Sequence, residues 1–229
     1  MVITIKENKK EIIGAIFDMD GVLVDSISIH QESFNEVLGK LGLPPMTNDF
    51  FFKVIGRNTR DIINSYNDLH NLNLSENQLN DLLRNKGASF REKISVYGRT
   101  TPGVIDWLKF LQRKHVFCSV ASSSTMGNIT FVLEALKIAD YFSSIVSGTY
   151  LPVGKPNPQI FLYAAASLGV DPSMCLVIED APVGIQAAKS AKMICWAIAT
   201  TYTKPNLKNA DIISDSLAQI SPELLIETD

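Results

Sequence analysis

Two aspartates one residue apart follow an apolar run near the start of the chain. The run is IIGAIF, from Ile12 to Phe17, and Asp18 and Asp20 come directly after it. Such a run is typical of a buried strand, and carboxylates rarely lie beside a core without a partner or a function. Paired carboxylates at a strand end can transfer protons and bind a hard cation. The stretch FDMDGVLVDS is therefore the first candidate for a functional site.

Polar residues also follow three later apolar runs, which read VFCSVA, SIVS and LVI. They are, in chain order, Ser122, Ser123 and Ser124, then Lys155 in VGKPNP, then Glu179 and Asp180. Ligands of parallel α/β sheets bind beyond the carboxyl ends of the strands, so these side chains would meet at one rim. Each alone has an ordinary explanation, such as a turn, a helix cap or a solvated lysine. Their combination favours a site over those explanations.

The elements that would position these residues alternate along the chain. The strand-like runs are Ile12 to Phe17, Val116 to Ala121, Ser144 to Ser147, Leu176 to Ile178 and Met193 to Ala199. Helical patterns of crossover length lie between them: one follows Thr100, one spans Asn128 to Lys137, and one runs from Pro158 to Gly169. This alternation predicts a parallel sheet covered by helices on both faces.

The stretch from about Ile27 to Ile94 breaks this alternation because it contains no convincing strand. Apolar stripes at helical spacing occupy it, and Ser75 forms a capping box with Gln78 before one of them. We predict an all-helical module inserted into the α/β domain. The predicted division assigns residues 1–26 and 98–229 to the α/β core and residues 27–97 to the inserted domain.

Composition and charge limit the partners. The chain has 229 residues, is 46% hydrophobic and carries a net charge of −3 without a block of Lys and Arg, which argues against nucleic-acid and anionic-membrane surfaces. No run of about 18 apolar residues occurs, and charges interrupt the first residues, so we expect a cytoplasmic protein. A monomer is the simplest expectation, because the sequence has no obvious exposed apolar stripe. The three cysteines form no CxxC pattern and are interpreted as buried thiols without a catalytic or metal role.

Four stretches together carry a family resemblance. DMDGVLVDS from Asp18, ASS from Ala121, GKPNP from Gly154 and EDAPVGIQAA from Glu179 resemble, in order, the four motifs of the haloacid dehalogenase superfamily. The resemblance is closest to the branch that holds sugar phosphatases and β-phosphoglucomutase, and it spans nearly the whole chain. It implies a Rossmann-like parallel-sheet core with an inserted all-helical cap domain.

The resemblance also implies roles in phosphoryl transfer. Asp18 would attack phosphorus and form an aspartyl-phosphate, while Asp20 would protonate the leaving oxygen and later deprotonate a water. Lys155 would neutralise charge, and Ser122 with the backbone N–H of Ser123 would hold phosphate oxygens. Crowding among the carboxylates is expected to raise pKa values, which would help Asp20 start protonated.

A magnesium ion is the implied cofactor, because Mg²⁺ accepts a few carboxylates together with water and phosphate oxygens. Its ligands would be Asp18, the backbone carbonyl of Asp20, and Asp180, with Glu179 just outside them. Gly21 is expected to permit the sharp turn after the first strand.

Candidate substrate contacts in the inserted domain are His30, Gly56, Arg57 and Arg60. A plain helix-face histidine remains the alternative for His30. A solvated helix start is the alternative for the two arginines, one of which we expect to reach the substrate. The domain itself would act as a lid that excludes bulk water.

Three functions remain open, and hydrolysis of a small phosphorylated metabolite, such as a sugar phosphate, is favoured. The resembled mutases use a cap-loop arginine and a Lys-Asn pair, where this chain has Thr59 and then Thr125 and Met126. Without those donors a second phosphate would be held weakly, so a β-phosphoglucomutase-type mutase is the first alternative. A non-catalytic phosphate-binding protein is the second.

Overall fold

The computed structural model describes residues 3–5, 10–222 and 226–227 of the chain. The strands within them are β1 (Ile3–Ile5), β2 (Lys10–Ile12), β3 (Gly14–Phe17), β4 (Phe117–Ser122), β5 (Ser144–Ser147), β6 (Cys175–Glu179), β7 (Ile194–Ile198), β8 (Ile212–Ser214) and β9 (Ile226–Glu227). Six of them form a parallel sheet in the order β5-β4-β3-β6-β7-β8. This confirms the predicted parallel α/β core.

The middle of the sheet is occupied by β3. Its last residue, Phe17, pairs with Val120 of β4 and with Ile178 of β6. All four residues of β3 are buried, as expected for a parallel strand covered on both faces. Because these three strands are parallel and in register, the residues that follow them lie at one edge of the sheet, with Asp18 at its centre.

Eight α-helices lie within the described residues. They are α1 (Ile27–Lys40), α2 (Asn48–Val54), α3 (Thr59–His70), α4 (Glu76–Tyr97), α5 (Val104–Arg113), α6 (Met126–Ala135), α7 (Gln159–Leu168) and α8 (Pro182–Ser190). No helix among these residues combines the length and apolar character needed to cross a bilayer.

The two faces of the sheet carry separate hydrophobic clusters. Phe17 belongs to one cluster, with Trp107 and Trp196, while its neighbour Ile16 belongs to the other, with Phe161. Successive residues of a strand point to opposite faces, so one short strand contributes to both clusters. Burial on both sides holds β3 firmly, which positions the residues at its end.

Helices α1 to α4, here called the cap, are inserted between β3 and β4. They enclose a third hydrophobic cluster, which includes Phe34, Phe51 and Tyr66. The capping box at the start of α4 is confirmed: the Ser75 side chain accepts from Gln78 N–H, and the Gln78 side chain accepts from Ser75 N–H. The cap is all-helical as predicted, and the division at residues 26 and 97 stays a prediction.

Some short elements escaped the sequence patterns. The run from Ile12 to Phe17 is divided, because β2 ends at Ile12 and pairs antiparallel with β1, which also pairs with β9. The sixth parallel strand, β8, was not predicted, since it has only three residues and Ile213 is only half-buried. The cysteines Cys118, Cys175 and Cys195 are free and buried, as predicted.

Candidate active site

The chain turns sharply immediately after β3. Asp18 N–H donates to the Ile178 carbonyl at 3.0 Å, which extends the pairing with β6 by one residue. Gly21 then has φ +80°, and its N–H donates to the Val24 carbonyl at 2.8 Å. A Cβ on Gly21 would overlap the Asp180 carboxylate and would be strained at this φ. The expectation that Gly21 permits this turn is confirmed.

Lys155 forms ion pairs with two carboxylates at the carboxyl-terminal edge of the sheet. Its Nζ lies 2.5 Å from Asp18 Oδ1 and 2.6 Å from Glu179 Oε1. All three residues are buried, and Glu179 is only 1% exposed. The fold therefore brings together Lys155 and two carboxylates from three separate motifs, as the strand-end rule predicted.

Burial controls the pKa of Asp18. Loss of hydration raises the Asp18 pKa to about 7, although the Lys155 ammonium opposes the shift, and the nearby Glu179 and Asp20 carboxylates add to it. For Lys155 burial lowers the pKa, but the charges of Asp18 and Glu179 outweigh it and leave the pKa above its usual range. The lysine is thus held in its charged form.

Glu179 also organises the loop that follows β6. Its Oε2 accepts the backbone N–H of Asp180 at 2.9 Å and of Ala181 at 3.1 Å. A Cβ on Gly184, in the first turn of α8, would overlap the Glu179 carboxyl group, so glycine leaves the room this carboxylate occupies. Glu179 holds both Lys155 and the Asp180 loop, a placement suited to a residue that supports cation ligands.

Asp180 lies at the same edge and is 3% exposed. The Thr201 hydroxyl donates to Asp180 Oδ2 and so fixes the carboxylate. Burial, together with the charges of Glu179 and Asp18, raises the Asp180 pKa well above its usual value. The pocket thus contains more buried carboxylates than cations.

Asp20 has a different set of partners, which come from the junction of core and cap. Asp20 Oδ1 lies 2.6 Å from Ser26 Oγ and 2.8 Å from His30 Nε2, and Asp20 Oδ2 accepts from Ser124 Oγ at 3.0 Å. Burial would raise the Asp20 pKa, but the His30 charge and the hydrogen bonds from His30 and Ser26 lower it to about 2. The expectation that crowding raises the pKa of Asp20 is wrong, because His30 and Ser26 stabilise its ionised form.

His30 links Asp20 to a buried lysine of the cap. Lys86 Nζ is hydrogen-bonded to His30 Nδ1, and the imidazole stacks on Phe90 with 4.2 Å between ring centroids. Lys86 is 1% exposed, and burial lowers its pKa to about 7 against the opposing charge of Asp20. Burial also lowers the His30 pKa, although Asp20 opposes this. His30 is therefore buried and bonded to Asp20, a placement that favours a role at the candidate site over a plain helix-face histidine.

A cavity of about 40 Å³ lies between the cap and the sheet edge. The predicted site residues that line it are Asp18, Asp20, His30, Gly56, Arg57, Ser122, Ser123, Lys155, Glu179 and Asp180. Ser122 Oγ accepts the Ser124 N–H at 3.1 Å, and Ser123 Oγ donates to the Gly56 carbonyl at 3.0 Å. All but one of the predicted site residues thus line one cavity.

The exception is Arg60, which does not line this cavity. Its guanidinium donates to Glu76 Oε2 at 3.1 Å and to Asn80 Oδ1 at 2.5 Å, both on α4. Arg57 does line the cavity, on the loop between α2 and α3. The expectation that one of the two arginines reaches the substrate therefore rests on Arg57.

The donors fit a divalent cation. No cluster of three or more His, Cys, Asp and Glu side chains suited to a metal occurs in the described part of the chain, and the implied set needs only two carboxylates and one carbonyl. Asp18, Glu179 and Asp180 are buried beside one lysine, and burial, with the charges of the neighbouring carboxylates added to it, raises the pKa values of Asp18 and Asp180. A cation at this edge would supply the missing positive charge.

Comparison with known proteins identifies the family. A sequence model described as haloacid dehalogenase-like hydrolase matches residues 15–198. The chain belongs to the haloacid dehalogenase-like hydrolases. This confirms the resemblance and the prediction of an enzyme, and the matched residues contain all four motifs.

Individual relatives of this haloacid dehalogenase-like hydrolase align over most of the chain. Hexitol phosphatase B of Escherichia coli strain K12 is 26% identical over 219 residues, covering 95% of this chain and 98% of that protein. The β-phosphoglucomutase of Bacillus subtilis strain 168 is 32% identical over 218 residues, covering 93% of this chain and 94% of that protein. The crystal structure of a Clostridium difficile β-phosphoglucomutase has a TM-score of 0.83 at 28% identity, and the match covers 93% of this chain and 94% of that chain.

Sequence reasoning missed Ser26, Lys86 and Thr201 as site residues. Lys86 lies on an apolar helical stripe with Leu82 and Phe90, and a lysine on such a stripe is an available signal of a buried charge. Thr201 follows the fifth predicted strand, to which the strand-end rule was not applied. Ser26 offered no pattern of its own, because its role depends on how α1 begins beside Asp20.

Proposed function

We propose that this enzyme is a Mg²⁺-dependent phosphatase that hydrolyses a small phosphorylated metabolite through an aspartyl-phosphate on Asp18. The observation that carries the proposal is the arrangement of Asp18 and Asp20. Asp18 is held against the Lys155 ammonium, while Asp20 is held by Ser26, His30 and Ser124. One carboxylate can thus act as a nucleophile and its neighbour as an acid and base.

In the first step an oxygen of Asp18 attacks phosphorus, the ester bond to the leaving oxygen breaks, and the leaving oxygen takes a proton through Asp20. Because the Asp20 pKa is lowered to about 2, Asp20 first has to receive that proton from its hydrogen-bonded neighbour His30 or from solvent. In the second step water attacks the phosphoryl group, Asp20 accepts its proton, and the bond to Asp18 breaks with release of phosphate. The lowered pKa of Asp20 favours its carboxylate, which is the form that the second step requires. Lys155 neutralises Asp18 and the phosphoryl group throughout.

The residues that would hold Mg²⁺ are Asp18, the backbone carbonyl of Asp20, and Asp180, with Thr201 fixing Asp180 from outside. When bound, the ion supplies charge neutralisation that lets an anionic phosphoryl group approach the carboxylates. Ser122 and the Ser123 N–H lie on the cavity wall and would hold phosphoryl oxygens. The cap closes the cavity above them and limits access of bulk water.

Hydrolysis is favoured over phosphosugar mutation by two departures from the resembled mutases. Thr59 lines the cavity where those mutases carry an arginine, and Thr125 with Met126 stands in place of their Lys-Asn pair. At these two places the chain offers fewer donors to a bisphosphate intermediate than the mutases do. The relatives include both a hexitol phosphatase and a phosphoglucomutase, which supports a phosphorylated sugar or polyol as substrate.

The test is phosphate release with Mg²⁺ from a panel of phosphorylated sugars, polyols and nucleotides, with β-glucose 1-phosphate also assayed for glucose 6-phosphate. Asp18→Asn should lower kcat by about 10³-fold or more, while the exposed Asp106→Asn, a matched control on α5, should not. Isomerisation without release would indicate a mutase. Phosphate release that persists in Asp18→Asn would exclude the proposed intermediate, and no reaction with any compound would favour a phosphate-binding protein.

A further inference from the structure

A second and larger cavity adjoins the candidate active site. It has a volume of about 640 Å³ and lies between α3 and α4 of the cap and the loops that follow β4 and β5 of the core. Thr59 lines both cavities, so the two are neighbours on either side of this residue. A substrate whose phosphoryl group lies at Asp18 would extend towards this space.

The lining of the second cavity is rich in cations. Its charged residues are Arg60, Arg84, Lys86 and Arg91, with Asp61 as the one carboxylate among the described lining residues. Arg60 is paired with Glu76, and Arg84 with Asp81. Lys86 is hydrogen-bonded to His30 and belongs to the active site. The charge of Arg91 is left without an acidic partner in the ranges that the structure describes.

Arg91 is nevertheless held in place. Its Nη1 donates to Asn128 Oδ1 at 2.6 Å, which joins α4 of the cap to the first turn of α6 in the core. Asn128 is 4% exposed, whereas Arg91 is only half-buried and keeps donors for a further acceptor. The first turn of α6 has no acidic residue, so the positive end of the helix is not neutralised there.

A glycine one helical turn before Arg91 keeps this corner open. Gly87 lies inside α4, where glycine is unfavourable for helix formation. A Cβ at Gly87 would approach Arg91 Nη1 to 3.4 Å and Asn128 Oδ1 to 3.6 Å. The missing side chain leaves room beside the pair formed by Arg91 and Asn128.

We propose that Arg91, oriented by Asn128, binds an oxyanion at the far end of the substrate, either a carboxylate or a second phosphate. This inference rests on the proposed function, because the near end is the phosphoryl group at Asp18. A guanidinium presents paired N–H donors that match both oxyanions. The donor lies on α4, not on the two loops that hold Thr59 and Thr125. Arg91 thereby selects phosphomonoesters with an anionic far end over those with a neutral one.

Matched substrates test this selection by phosphate release. Glucitol 6-phosphate, 6-phosphogluconate and glucitol 1,6-bisphosphate share a six-carbon chain and differ at the far end, and glycerol 3-phosphate with 3-phosphoglycerate forms a shorter pair. The wild type should prefer the anionic members of each set. Whether the carboxylate or the bisphosphate has the higher kcat/KM identifies the oxyanion.

Arg91→Gln should lower kcat/KM for the preferred anionic substrate by about 10- to 100-fold, mainly through KM, because a charge-assisted hydrogen bond is lost. Neutral substrates should change by less than about twofold, and Arg91→Lys should retain part of the preference. The control Arg113→Gln removes an exposed arginine on α5 and should change neither class. A preference for neutral substrates, or an equal loss on both classes in Arg91→Gln, would overturn the inference.

Binding to the Asp18→Asn protein separates this inference from the proposed function. Calorimetry with 6-phosphogluconate, glucitol 6-phosphate and glucitol 1,6-bisphosphate requires no turnover. An anionic compound should bind more tightly than glucitol 6-phosphate, and Arg91→Gln in the same background should remove that difference. This result would support the oxyanion site even if no phosphate release were found. Equal affinities, or no binding of any compound, would overturn it.

Discussion

Asp18 and Asp20 are one residue apart, yet the core alone holds Asp18, whereas Asp20 is held where the core meets the cap. Asp18 is bound by Lys155, from the loop after β5, in a pocket shared with Glu179. Asp20 is bound by Ser26, directly before α1, and by His30 within α1. Among the described residues, only Ser124 reaches Asp20 from the other strand ends of the core. The two halves of the site, here called the core half and the cap half, therefore come from different parts of the fold.

The difference shows how one strand end can supply two carboxylates whose pKa values are shifted in opposite directions. Burial raises the Asp18 pKa to about 7, whereas the His30 charge and hydrogen bonds overcome burial and lower the Asp20 pKa to about 2. A cation at Asp18 would offset the rise in the Asp18 pKa that burial causes. The ionised form of Asp20 is already stabilised, because His30 and Ser26 hydrogen-bond to it. The core half is thus suited to binding a cation and phosphate, and the cap half to holding the acid-base residue.

The largest test of the core half is Lys155→Met. Removing the ammonium leaves Asp18 and Glu179 buried without it, so we expect a loss of unfolding free energy of about 3–5 kcal/mol and a loss in kcat/KM of about 10³-fold. Urea unfolding and phosphate release measure the two effects. The exposed Lys109→Met on α5 is the control. A Lys155→Met protein that keeps wild-type stability would show that the ion pair is not needed to hold the core half together.

The pH dependence of stability tests the opposite pKa shifts directly. In metal-free protein the raised Asp18 pKa contributes stability that is present below about pH 4 and is lost as the pH rises through about 7, up to about 4 kcal/mol. The lowered Asp20 pKa contributes stability that is present above about pH 4 and is lost as the pH falls through about 2, about 2 kcal/mol. Denaturant unfolding from pH 2 to 8 with a chelator measures both.

Single substitutions assign the two contributions to their residues. Asp18→Asn should reduce the decline in stability between about pH 4 and 7 and leave the part that comes from the raised pKa of Asp180, and Asp20→Asn should remove the rise between about pH 2 and 4. Added Mg²⁺ should weaken the first pH dependence and leave the second. If both variants changed the same pH range, the two aspartates would not have the separate environments described above.

The core half could be predicted from sequence because a simple physical rule locates it. Apolar runs identify buried strands, and the polar residue after a run lies at the sheet edge, which is how Asp18, Lys155 and Glu179 were found. The same rule applied to the fifth run would have found Thr201. The short strand β8 was missed, since three residues carry too little pattern to identify.

The cap half could not be predicted to the same depth. The rotation and packing of α1 and α4 decide that His30 meets both Asp20 and Lys86, and apolar spacing does not specify such contacts between distant segments. The wrong expectation for the Asp20 pKa has the same origin. Neighbouring carboxylates are visible in the sequence, whereas the donors that outweigh them are brought together only by the fold.

A smaller effect is expected for Lys86→Met in the cap half. The lowered Lys86 pKa means that its ammonium is disfavoured in the fold, so wild-type stability should rise between about pH 7 and 10. Methionine has a similar length without the charge and should stabilise the protein by about 1 kcal/mol at pH 7, with the difference shrinking towards pH 10. We also expect kcat to fall by about tenfold as His30 loses its partner.

Unfolding at several pH values and phosphate release measure the two effects of Lys86→Met, with the exposed Lys53→Met as the control in the cap. A variant that is destabilised at every pH would contradict the account of Lys86 as a buried charge whose hydration is lost on folding. Unchanged kcat would separate Lys86 from the catalytic role proposed for Asp20 and His30.

The smallest effect concerns one of the contacts that join core and cap. The Tyr202 hydroxyl, in the loop after β7, donates to the Phe52 carbonyl of α2 at 2.7 Å, and Tyr202 lines the active-site cavity. Tyr202→Phe removes one hydrogen bond between core and cap while keeping the ring, so we expect KM to rise about 2- to 10-fold with little change in kcat. Tyr163→Phe, at an exposed position on α7, is the matched control. A fall in kcat without a change in KM would instead indicate that Tyr202 acts on the chemical step, and closure of the cap would then depend on other contacts, such as those of Ser123 with Gly56 and of Arg91 with Asn128.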